Sequence, residues 1–424
     1  MGFKRRLAAS CVVVLTALRL PVFGQETPPP PPPPTPDPAV EGAPATPPAE
    51  PDVAAIALQD AKIAFKQGIW PAALTAATKT LETQPKNLEA LYIAGTSARQ
   101  TNRLADADGY LKTLVEESPT FPLAHFQWGY VLFLRAEGLA REGQAEPAKA
   151  KYVEAATEFG KELERNPTHA ASLSSRAIAY GRGGKIDESI QAHEAWITAI
   201  AQKNDPVVSL AATYAGAGRS SDAMATLDRL PDKSPNAARD AALGVASVFT
   251  TRRDWGAAVP FLEKAADVDP ESTKARALLT EGCARAGLAN DAARNLQTLL
   301  TMDPTPDEAE SVGEAIKAGF GDGKSGPSNA GVEPPTVVRA PSPRFPKDQD
   351  WSTQTEVLVL VLVQQDAMVV NTVMVPNRIW KDIRTTGFEA AAVDAVKKAK
   401  YTAGKKAGQP ADLWIVVPVK FARN

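Results

Sequence analysis

Three histidines, two cysteines and one glycine-rich loop are the parts of this chain that could do chemistry, and their spacing argues against it. His125, His169 and His193 stand 44 and 24 residues apart. Histidines that share a metal come in short-spaced sets, and no pair here has ligand spacing. Gly321-Asp322-Gly323-Lys324-Ser325-Gly326 ends like a phosphate loop but lacks its glycine spacing and follows no strand, so it reads as linker. Cys11 and Cys283 are too few for a disulfide framework, and Cys283 reads as a small buried hydrophobe. No convergent acid, base or nucleophile emerges. The expectation is a chain that is not an enzyme, with no metal and no cofactor.

Binding is the alternative to catalysis, and composition narrows what can be bound. The chain has 424 residues, is 44% hydrophobic and carries a formal net charge of −2, enough apolar material for two or three cores. Charges of both signs are interspersed, without the basic face that a nucleic-acid partner needs. Protein or peptide partners remain.

The elements that would position such partners are marked by a proline returning in one register, Pro85, Pro119, Pro167, Pro235, Pro270 and Pro304, at steps of 34, 48, 68, 35 and 34 residues. With each proline counted as position 32, position 8 is small (Ala61, Gly95, Gly129, Ala177, Ala211), and so is position 20 (Ala73, Ala107, Ala155, Ser189, Ala223, Ala258, Ala292). Small residues let two helices cross closely. Gly68, Gly184, Gly218 and Gly287 fall at the breaks between helices, where a left-handed residue is wanted. This pattern resembles the tetratricopeptide repeat (TPR). It predicts an α-solenoid of about seven helix pairs over residues 54–320, beginning near 54, 88, 122, 170, 204, 238 and 273, with a capping helix from Asp307 to Phe320. The third pair carries 14 extra residues around Arg135 to Lys149, expected as a lengthened first helix and a protruding loop.

In such a solenoid the first helix of each pair lines the concave face. Tyr92, Arg99, Phe126, Tyr130 and Phe133 take those positions, which makes the third unit aromatic and suits an apolar or mixed protein ligand. The competing reading is that Phe126 and Phe133 pack against neighbouring helices or the insertion.

Around the solenoid the composition changes twice. Residues 1–24 read as an export signal: Lys4, Arg5 and Arg6 precede the apolar run Leu7 to Leu18, shorter than the ~20 residues of a membrane span. A retained anchor is the alternative, and Leu7 to Cys11 resembles a lipoprotein box only faintly. Residues 25–53 are proline-rich, including seven consecutive prolines from Pro28 to Pro34, and predict an extended polyproline II spacer.

Beyond a linker over 321–336, residues 337–424 predict a small α+β domain, ββαβ, with a three-stranded antiparallel sheet and one helix. The strands are Glu356 to Val363, Met368 to Val375 and Leu413 to Phe421, and the helix is Phe388 to Lys400. Phe345-Pro346, Phe388 to Ala392 with Ala395-Val396, Tyr401-Thr402-Ala403, Gly408-Gln409-Pro410 and Val417 to Phe421 together resemble the C-terminal domain of TonB proteins. Asp366-Ala367 stands where that family has Asp-Gly. With the first strand central and the third outermost, Trp414, Ile415, Val416, Val417, Pro418 and Val419 form the candidate edge for an added strand, since proline is tolerated only where a ladder bond can be given up. From Arg339 onward 13 basic and 8 acidic residues give +5, which favours an acidic partner or envelope surface.

The resemblance implies a periplasmic location in a Gram-negative envelope, near a membrane, and partners among outer-membrane transporters. A homodimer through the same sheet edge is the rival. A TonB-type energy transducer held at the inner membrane by an uncleaved N-terminal anchor is a second reading, although such transducers carry an N-terminal histidine and none precedes His125 here.

Overall fold

The computed structural model describes residues 52–320, 331–346, 355–376 and 387–421. The expected export signal, nearly all of the proline-rich spacer and the Gly321–Gly326 loop lie outside them. The architecture is a TPR-like array of helix pairs followed by a small α+β region. It divides into two compact units, the first through Thr213 and the second from Tyr214.

The first unit holds α1 (Val53–Lys66), α2 (Trp70–Thr83), α3 (Leu88–Gln100), α4 (Leu104–Glu117), α5 (Ala124–Arg141), α6 (Ala145–Arg165), α7 (Ala170–Arg182), α8 (Ile186–Ala199) and most of α9 (Asp205–Gly216). Consecutive helices pair, and the first helices α1, α3, α5 and α7 also touch one another in series, forming one continuous layer. The small residues set the spacing. Ala61, Ala73, Ala107, Ala155, Ala177, Ser189 and Ala211 are all 0% exposed, as close crossing requires. At Gly95 an added Cβ would lie 2.5 Å from Leu111 Cγ, and at Gly129 it would lie 2.9 Å from the Phe159 ring.

The third pair departs from expectation. The loop between α5 and α6 is only three residues, and the insertion is absorbed by both helices, which run to 18 and 21 residues against 13 and 14 in α3 and α4. Ala and Glu dominate the inserted stretch, so extending two helices satisfies its backbone where a long loop would not.

The second unit continues with α10 (Ser220–Leu227), α11 (Pro235–Thr251), α12 (Trp255–Val268), α13 (Thr273–Arg285), α14 (Ala289–Met302) and the capping helix α15 (Ala309–Phe320). Pro235, counted from the sequence as closing a unit, instead opens α11, where its missing N–H costs nothing. All seven pairs turn through a positive-φ residue: Gly68, Asn102, Gly143, Gly184, Gly218, Arg253 and Gly287. In each, the next residue donates back five positions, as in Ile69 N–H to Ala64 C=O and Asp254 N–H to Phe249 C=O. Four of these glycines were legible in the spacing. Asn102 and Arg253 carry the same geometry without being glycine.

The sheet region follows as β1 (Val332–Glu333), β2 (Val337–Arg339), β3 (Thr355–Val363), β4 (Val369–Val375), α16 (Phe388–Lys398), β5 (Lys400–Tyr401), β6 (Gly404–Lys406), β7 (Gln409–Ala411) and β8 (Leu413–Phe421). The main sheet has the order β4-β3-β8, all antiparallel. Inside the stretch read as linker, β1 pairs with β6, and just beyond it β2 pairs with β5. The sequence left open whether the sheet touches the helices; α14 and α15 touch it at β4 and β8.

This second contact explains why β3 is apolar on both alternating sides. Val357, Val359, Val361 and Val363 share a core with Phe388, Ala392 and Val396 of α16. The opposite face carries Leu358, Leu360, Val373, Val375, Trp414 and Val416, also buried, and the Trp414 indole donates to Asn290 of α14 at 2.8 Å. Central position in the sheet supplies backbone partners on both edges. It does not by itself bury both faces.

A left-handed arginine costs about 1 kcal/mol that glycine avoids. Arg253→Gly is therefore expected to raise the unfolding free energy of the second unit by about 0.5–1 kcal/mol, read from urea denaturation, with Gly287→Ala shifting it the other way.

Candidate protein-binding surfaces

The histidines are occupied structurally. His125 is buried with Nδ1 2.7 Å from Glu158 and Nε2 3.1 Å from the Pro119 carbonyl. Burial works against the Glu158 carboxylate, but hydrogen bonds and charge from His125 and Lys161 more than reverse it and hold its pKa below the usual range. His169 bonds Ser172 and meets the Phe126 ring edge-on. His193 lies between Ser189 and Ser209, and burial pushes its pKa down to about 4. Among the described residues no group of histidines, cysteines and carboxylates could hold a metal ion.

On the layer of first helices, α3 and α5 bring four of the five sequence-predicted residues into one cluster. The Arg99 guanidinium sits 5.1 Å above the Tyr130 ring, and Tyr130 stacks on Phe126 at 6.1 Å. Tyr92 is half-buried between Phe65 and Phe121, at 6.0 and 5.4 Å. Burial raises the Tyr92 phenol pKa against the opposing influence of Gln127, Arg99 and Thr96, and burial lowers Arg99 against Tyr130 and Tyr92. These shifts tie the groups into one electrostatic neighbourhood.

Phe133 does not join it. Only 4% exposed, it packs edge-on against Tyr152 of the lengthened α6 at 5.2 Å, beneath Arg182, which pairs with Glu137. The insertion has turned a lining position into core. Phe126 is intermediate, one side on Phe159 and His169, the other toward Tyr130.

The sequence reading missed Gln127 and Glu162, which are polar residues at positions that ought to be apolar. Thr96 Oγ1, Arg99 Nε, Gln127 Oε1 and Glu162 Oε2 are buried without a hydrogen-bond partner from the protein.

At the other candidate surface, β8 is an outer strand of the main sheet, and no strand pairs with its far side among the described residues. Its side chains are already committed. Ile415, Val417 and Val419 belong to the α16 core, and Trp414 and Val416 are buried on the other face, Trp414 against Asn290. Pro418 is opposite Leu358 of β3 and only partly buried. What β8 offers is backbone, interrupted at the one residue without an N–H.

Two expectations follow. Phe133→Ala should cost about 3–5 kcal/mol of stability as a core truncation, whereas Tyr130→Ala should cost far less, measured by denaturation. His193, neutral when folded, contributes stability that is complete above its unfolded pKa near 6.5 and is lost as pH falls toward 4. That loss is on the order of 3 kcal/mol for the first unit, and His193→Gln should flatten it.

Comparison with known proteins bears on the repeats. Residues 58–121 match the tetratricopeptide repeat model. No curated protein matches the chain. Among solved structures, a MamA protein is 20% identical over 42% of this chain and 90% of its own, with a TM-score of 0.37. A tetratricopeptide repeat protein from Parabacteroides merdae is 20% identical over 55% of this chain and 85% of its own, at 0.35. Naa15/Naa10 bound to HypK-THB is 14% identical over 63% of this chain and 38% of its own, at 0.37. The tetratricopeptide repeat, a protein-interaction module, is thus what the start of the array is similar to.

Proposed function

We propose that this chain is a non-enzymatic scaffold of a Gram-negative envelope, exported to the periplasm, which binds one protein through its solenoid and accepts an extended segment of another, an outer-membrane transport protein, at β8. The observation that carries this is the double coverage of the β4-β3-β8 sheet. With both faces of the sheet buried, it has only its edges to offer, and an edge recognises a partner by backbone hydrogen bonds. The resemblance of 337–424 to TonB C-terminal domains agrees with that mode.

The solenoid supports a second contact of different chemistry. Tyr92, Tyr130 and Phe126 supply aromatic surface, and Arg99 Nε, Gln127 Oε1 and Glu162 Oε2 add buried polar atoms beside it. A protein ligand with mixed apolar and polar character fits that face.

Photo-crosslinking in intact cells from Lys420, exposed on β8, tests the edge. Adducts with an outer-membrane transport protein that are absent when the crosslinker is moved to Lys398 on α16 are the expected result. Adducts only with a second copy, or the same adducts from both positions, would overturn strand addition at β8.

A further inference from the structure

The short ladder β2–β5 breaks two local rules at one place. Where charged residues face each other across strands of the C-terminal region, two of the described pairs are complementary: Lys405 opposite Glu333 at 3.1 Å, and Lys420 opposite Glu356 at 3.7 Å. The third is not. Arg339 of β2 stands directly opposite Lys400 of β5, both exposed, and neither forms an ion pair among the described residues. Like charges set opposite each other cost stability in water. Lys397, exposed in the last turn of α16, is also without an ion pair there, whereas its neighbour Lys398 bonds Asp394 at 2.6 Å. Buried Tyr401 fixes this arrangement, because its hydroxyl donates to the Val396 carbonyl at 2.9 Å and ties β5 to the end of α16. Beside Arg339 the ladder bulges. Val337 pairs with Tyr401 and packs on the core, while Val338 is the extra residue left out of register. At 65% it is more exposed than any other large apolar side chain among the described residues.

We propose that this corner, formed by Val338, Arg339, Lys397 and Lys400, docks on the surface of a lipid bilayer that carries anionic head groups. Both features that are unfavourable in water become favourable there. Head-group phosphates neutralise the opposed cations, and the bulged valine enters the apolar boundary beneath them. A small oxyanion or an acidic peptide would satisfy the cations but leave Val338 in water. Only the bilayer accounts for charge and apolar exposure at one site. Near an anionic surface each of the three cations strengthens attachment about fivefold, an attraction that fades within about a Debye length, so the contact is reversible and salt-sensitive. No residue of β8 belongs to this corner, and the attachment is independent of strand addition there.

Co-sedimentation of the full chain with phosphatidylcholine vesicles, with and without about 30% phosphatidylglycerol, tests this. The expected result is about tenfold or stronger partition onto the anionic vesicles, weakening as salt rises. Because Lys4, Arg5 and Arg6 attract the same lipids, the variants decide. Arg339→Glu should cut the anionic preference about tenfold or more. Its thermal stability should equal or exceed the parent's, because the substitution turns a like-charged cross-strand pair into an opposite one. Val338→Ser should weaken binding to the anionic vesicles about threefold or more. No preference for anionic vesicles, or a preference that Arg339→Glu and Lys400→Glu both leave intact, overturns the proposal. So does binding that is indifferent to Val338→Ser and is competed away by soluble polyglutamate, which would mark an acidic protein as the partner instead.

Discussion

The distance between the two helices of each pair is the constraint on which the rest of the structure depends. At Gly95 a single methyl group would meet Leu111 inside van der Waals contact, and at Gly129 it would meet Phe159 and the Ala155 carbonyl. With the alanines and the serine at the equivalent crossings fully buried, the side chains that fill the space come from the next turn, such as Leu111, Leu114 and Leu296. Interiors are packed too tightly to absorb a larger residue at a crossing without moving a helix. The register of the array, and with it the layer of first helices that presents Tyr92 and Tyr130, is set by these contacts.

A second constraint acts at the turns. Seven left-handed residues reverse the chain between paired helices, and the backbone bond from the following residue closes each helix end. The geometry belongs to the turn, not to glycine. Glycine is the least costly occupant, asparagine tolerates the conformation, and Arg253 adopts it with the same closing bond, from Asp254 N–H to Phe249 C=O. The same holds in the sheet, where Ala367, standing in place of the glycine of an Asp-Gly turn, adopts φ +66°.

The sheet shows how the end of one element can serve as the core of another. Its valine face packs on α16, with Ala309 of α15 and Leu300 of α14 joining that core, while Trp414 on the other face bonds Asn290 of α14, so the array's last helices and the sheet complete each other. Trp414 illustrates the consequence. Read in sequence as part of an edge, it spends its indole N–H on Asn290, and the binding capacity of β8 is left to its backbone. In the third helix pair the logic is similar: lengthening α6 places Tyr152 over Phe133 and removes an aromatic from the lining, while Tyr130, one turn earlier, remains with Arg99.

The sequence by itself determined the repeat, because periodicity is local: small residues at two fixed positions and glycine at the breaks specify helix pairs whatever surrounds them. It also determined the three long strands β3, β4 and β8 and the helix α16 of the C-terminal region, but not the short strands β1, β2, β5, β6 and β7, which carry no apolar run of their own. Only the tertiary structure decided which aromatic positions face outward, since Phe126 and Phe133 have the same spacing and differ only in what α6 lays across them. It decided that Gln127 and Glu162 are buried polar groups, that β1 claims part of the expected linker, and that β3 is covered twice. These outcomes depend on contacts between residues dozens to more than a hundred positions apart, such as Trp414 with Asn290, which no local pattern encodes.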